Sequence, residues 1–73
     1  MDTRTFRDIY KSLNEVDQAI LRDLVSKYAM VADSTIRCWI TLKRRPSALA
    51  QVNIVKALRK IGIRSDARFL FPR

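Results

Sequence analysis

Apolar residues along this chain recur at helical spacing, and nowhere do they alternate with polar ones over the length of a strand. Phe6, Ile9, Tyr10 and Leu13 fall at i, i+3, i+4 and i+7, one face of a first helix. Asn14 stands where a second helix needs its N-cap, with Asp17 three residues on in the capping-box position. That helix runs to about Ala29. Its apolar positions Val16, Ile20, Leu21, Leu24, Val25 and Tyr28 make a wide stripe, as expected for a central helix with neighbours on two sides. After Met30-Val31-Ala32, Asp33 or Ser34 can cap a third helix that carries Ile36, Trp39 and Ile40 on one side. It stops before Pro46, because the residue preceding proline avoids the helical region. Ser47 caps a fourth helix with Val52, Ile54, Val55, Leu58 and Ile61 facing inward, and Gly62 suits its C-terminal end. Ser65 or Asp66 caps a last turn. The expected fold is all-α, a compact bundle of four to five helices over a single domain spanning 1–73.

Composition narrows the function classes. A chain of 73 residues buries only about 60% of its unfolded surface, so its core must be efficient or helped by a partner. One cysteine and no histidine exclude an intrachain disulfide and a Cys/His zinc site, and no cofactor or metal is expected. Met1–Tyr10 lacks the apolar core of a signal peptide, and the longest apolar run, Tyr28–Ala32, is far too short to span a bilayer. The expected compartment is a reducing cytoplasm, in a bacterial or phage-encoded setting. Catalysis is not expected: there is no nucleophile paired with a base and no glycine-rich phosphate loop. Glu15 and Asp17 sit near a helix start, where acids complement the dipole.

Charge changes the picture most. The chain has 15 Lys+Arg against 7 Asp+Glu, net +8. Residues 1–36 hold five basic and six acidic residues, net −1, while residues 37–73 hold ten basic residues and the single acid Asp66, net +9. The density peaks at Lys43-Arg44-Arg45. Such asymmetry points to an anionic partner, and it marks either a binding face or a solvated surface.

The third helix supplies the surface that decides between them. Opposite Ile36, Trp39 and Ile40 runs a stripe of Ser34, Arg37, Cys38 and Thr41, small, polar and basic. A helix entering the major groove, about 12 Å wide, needs such a face. The segment from about 16 to 42 thus has the form of a helix-turn-helix, with a recognition helix at about 33–42. Val25–Pro46 resembles the helix-turn-helix of phage repressors, Cro proteins and the xenobiotic-response-element-type bacterial regulators. The resemblance rests on Val31 in the turn, Ser34-Thr35-Ile36, Trp39 three residues on, and Lys43-Arg44-Arg45-Pro46. Ile54-Val55-Lys56-Ala57-Leu58 and Leu70-Phe71 extend it to cover roughly Val25 to Phe71. It implies a lambda-repressor-like fold that binds operator DNA. Met30 and Leu42 stand where the family usually has glycine, and Ala32 where it has a Ser/Thr N-cap. Met30 and Leu42 must either accept strain or turn differently, and Asp33 is expected to cap in place of Ala32.

The site residues follow. Arg37 has a fork that matches guanine O6/N7, with a phosphate contact as the alternative. Ser34 lies at a position that the resemblance implies touches bases, or else it serves only as a cap. Cys38 can meet a thymine methyl or act as a redox sensor, the former being the better fit for a small residue on this face. Thr35, Thr41, Lys43, Arg44 and Arg45 are expected at phosphates, where they set register without reading sequence. Asp33 can accept from cytosine N4, but its charge near phosphates favours capping. Trp39, at helical spacing with Ile36 and Ile40, belongs to the core rather than to a stacking platform.

The leading expectation is sequence-specific binding of double-stranded DNA by a small transcriptional regulator. A single unit reads few base pairs, so a homodimer on a two-fold site is the economical arrangement. An excisionase or recombination accessory factor of a mobile element would look similar. A protein-interaction module such as an antitoxin would show an apolar outer stripe on the third helix, and this stripe is polar. Phe69-Leu70-Phe71 either forms a dimer patch or folds back on the core. A membrane-surface binder would need one continuous basic amphipathic helix, which the chain lacks.

Overall fold

The computed structural model describes residues Met1–Pro72. Five helices follow one another: α1 (Phe6–Ser12), α2 (Glu15–Ala29), α3 (Asp33–Ile40), α4 (Ala48–Lys60) and α5 (Ala67–Leu70), with no strand among the described residues. The fold is all-α, as expected. Cap chemistry sets most boundaries. Asn14 Oδ1 accepts from the Asp17 N–H at 2.8 Å, Ser47 Oγ from Ala50 at 3.2 Å, and Asp66 Oδ1 from Arg68 at 2.9 Å. Each satisfies an orphan donor of a first turn. Thr5 does the same for α1.

α2 packs against both α3 and α4, α1 against α3 and α5, and α4 against α5. The core is Phe6, Ile9, Leu21, Val25, Ile36, Trp39, Ile40, Ile54, Ala57, Leu58, Leu70 and Phe71. The Phe6 and Phe71 rings meet at 5.5 Å between centroids, so the tail closes onto the first helix. Leu70 and Phe71 are buried while Phe69 is exposed, which resolves the tail chiefly as core. The N-terminus is pinned as well: the Asp2 N–H donates to the Arg64 carbonyl at 2.8 Å.

Three expectations about facing are corrected. Val16 and Ile20 are exposed, 68% and 44%, rather than part of a wide buried stripe, because α3 and α4 cover only the Leu21–Val25 side of α2. Val52 is likewise exposed on α4. Gln51 is buried in that helix instead, its Nε2 donating to the Pro46 carbonyl at 2.9 Å. A buried amide with a partner costs little.

The helix ends divide into two kinds. After α4, Gly62 takes φ 89°, with Gly62 N–H bonded to Arg59 and Ile63 N–H to Leu58, both at 3.0 Å, the paired bonds of a Schellman motif. After α3, Leu42 takes φ 60° and makes the same pair: Leu42 N–H to Trp39 at 3.1 Å and Lys43 N–H to Cys38 at 3.0 Å. Met30, after α2, is left-handed too, at φ 54°. The two non-glycine positions therefore accept strain rather than turning differently.

Candidate nucleic-acid interface

α3 is short, about 12 Å at 1.5 Å per residue. Ile36, Trp39 and Ile40 face the core, so the opposite side is free: Ser34 and Arg37 are exposed and Cys38 is half-buried. Thr35 is half-buried between these faces. The helix ends at Ile40, two residues before the expected limit, because Leu42 has already turned left-handed. Thr41 is thus the C-cap rather than a member of the helical stripe. Its hydroxyl donates to the Arg37 carbonyl at 3.0 Å, so its proton serves the helix end.

Asp33 does not cap α3. Ala32 occupies the N-cap position and makes no side-chain bond, and Asp33 is the first helical residue. Its carboxylate turns instead to arginines. Oδ2 accepts from Arg37 Nε at 2.7 Å, one turn along the helix, and Oδ1 lies 3.6 Å from Arg22 Nε on α2. Arg22 Nη1 in turn donates to the Tyr10 hydroxyl on α1. A pair this exposed contributes little stability. Its consequence is orientation: Arg37 is held through Nε, and its Nη1 and Nη2 make no hydrogen bond among the described residues. The hydrogen bond to the Asp33 carboxylate also raises the Arg37 guanidinium pKa above its ordinary value. The supporting Arg22 and Tyr10 escaped sequence reasoning, since their link to Asp33 joins three helices and leaves no spacing signal.

The basic loop follows directly. Lys43 and Arg44 are exposed, and their backbone N–H groups both bond to the Cys38 carbonyl. Arg45 is engaged: its Nη1 donates to the Phe71 carbonyl, which ties the loop to the tail. Leu42, Arg44, Arg45, Phe71 and Pro72 line a hollow of about 180 Å³ there. Of the basic residues from Arg37 to Arg68, only Arg37 and Arg68 form ion pairs among the described residues. Arg73, counted in the +9 of the second half, lies outside them.

The described residues contain no cluster of His, Cys, Asp and Glu fit for a metal ion. No described helix is long and apolar enough to cross a membrane. No family model, no curated protein and no solved structure matches the chain.

Proposed function

We propose that this protein binds double-stranded DNA in a sequence-specific manner as a small helix-turn-helix regulator, with α3 entering the major groove. One observation carries the reading. The exposed side of α3 is small and polar around an arginine whose Nε is held by Asp33 while both terminal nitrogens remain open. An end-on guanidinium of that kind matches the O6 and N7 acceptors of guanine. Ser34 and Cys38 flank it as further base contacts. Lys43 and Arg44 lie at phosphates on the groove edge. Thr35, Thr41 and Arg45 complete the phosphate set, the last two after releasing the internal bonds described above. Binding as a homodimer on a two-fold site would double the short readout of a two-turn helix.

The test is selection from a random duplex library, followed by titration of selected and scrambled duplexes at two salt concentrations. The expected result is preference for one sequence, with an affinity that falls steeply with salt, about 0.9 log units per log unit for each phosphate contact. Arg37→Ala is expected to cost about 1–3 kcal/mol and to relax preference at one base pair. Equal weakening on all sequences would assign Arg37 to phosphate. An absence of binding at low salt would remove the reading.

A further inference from the structure

A second cationic feature lies away from α3. Tyr28 on α2 and Lys56, Arg59 and Lys60 on α4 line a groove of about 290 Å³. The three cations are exposed and Tyr28 is half-buried. None of the three forms an ion pair among the described residues, and α4 contains no acidic residue at all. They occupy little more than one helical turn, with Lys56 and Lys60 about 6 Å apart along the axis.

The groove opens on a different side of α2 from α3. Arg22 and Ser26 are the α2 side chains that reach the start of α3, the first toward Asp33 and the second by donating to the Val31 carbonyl at 2.9 Å. At about 100° per residue, Tyr28 lies roughly 120–160° around the helix from them. Tyr28 therefore lies on a different side of α2 from the one that meets the start of α3.

We propose that the groove is a second phosphodiester-binding surface, which holds nucleic-acid backbone apart from the segment that α3 approaches. The spacing favours this partner. A DNA strand carries one charge per roughly 3.4 Å of axis, so cations spread over about 6 Å meet about two phosphates. Exposed lysine and arginine side chains are common donors to phosphate. The identity of the partner rests on the DNA-binding reading above, while the site itself rests on the groove.

An amide-resolved NMR titration of the full chain with a 12-base-pair duplex separates the two. Expected are shifts both along α3 and at Tyr28 and α4, with the α4 shifts abolished in the Lys56→Gln/Arg59→Gln/Lys60→Gln variant. All three side chains are exposed, so that variant is expected to keep the wild-type melting temperature. Its salt dependence should be shallower by about 2 log units per log unit. Shifts at α3 alone would overturn this inference and leave the DNA-reading helix standing. Shifts at the groove alone would do the reverse, and silence at both would overturn both. A polyglutamate peptide of matched charge that shifts Tyr28 and α4 as strongly as the duplex would make the groove an acidic-protein surface and overturn the phosphodiester assignment.

Discussion

The ends of α3 and α4 close with the same two backbone bonds, yet one uses Leu42 where the other uses Gly62. A left-handed residue with a Cβ costs roughly 1–2 kcal/mol that glycine avoids. Leu42 carries that cost just past α3, and Met30 carries it just before. Strain of this type persists only where the surroundings over-determine the backbone, and it gathers at functional segments. Here it flanks the helix that presents Arg37, while α4, which supplies the three cations of the other groove, ends without it. What holds α3 in place is its buried side, together with Pro46, which is buried behind the loop.

The largest effect should therefore come from that buried side. Ile36 is fully buried between the strained ends. Ile36→Ala is expected to cost about 2–5 kcal/mol, a large part of the total stability of so small a domain. Urea denaturation measures it, and a loss under 1 kcal/mol would mean that α3 is not what keeps Met30 and Leu42 left-handed.

Next comes the relaxed end. A Cβ added at Gly62 meets nothing within 4 Å, so Gly62→Ala isolates the backbone term. The expected loss is about 1 kcal/mol, or roughly 4–8 °C in Tm. A neutral result would show that the left-handed cost is small in this fold, and the contrast with Leu42 would lose its force.

Met30→Gly sharpens the same contrast from the other side. Met30 is 88% exposed, so little packing is lost. Relief of strain should exceed the extra flexibility of the unfolded glycine by about 0.5–1 kcal/mol, raising Tm by roughly 2–8 °C. If the variant melts lower, Met30 earns its place through contacts that its exposure does not suggest.

These positions also show how far the chain could be read. The caps Asn14, Ser47 and Gly62 are legible because a cap is a contact between residues two or three apart, while the choice between Ser65 and Asp66 for the last turn is made only by the fold. The buried triad of α3 is legible because its period is unambiguous. At 30 and 42 the sequence leaves strain and a different turn equally open, and the backbone takes the strained course at both. Asp33 was not legible: a free carboxylate at a helix start suggests a cap, and only the approach of Arg22 and Arg37 redirects it. Arg45 is bound to a carbonyl 26 residues away, beyond any local pattern. Val16, Ile20 and Val52 lie at the margins of apolar stripes, where periodicity cannot say how much of a helix its neighbours will cover.

The smallest effect concerns the anchor beside the relaxed end. Asp2 holds the N-terminus against Arg64, just beyond Gly62, and the Arg4 guanidinium bonds to its carboxylate at 2.6 Å. Those hydrogen bonds hold the Asp2 carboxyl down to about 2, against an ordinary value of 3.8. Arg68 lowers Asp66 in the same way. A depressed carboxyl stabilises the fold fully above its unfolded value, and that contribution disappears as pH falls through the folded one. Thermal melts between pH 5 and pH 2 should thus show a decline that Arg4→Ala makes slightly shallower, since solvent screens so exposed a pair. If Arg4→Ala leaves the acid limb unchanged, the terminus is pinned by its backbone bond alone. The glycine-closed end of α4 would then owe its order to the chain's hydrogen bonds rather than to charge.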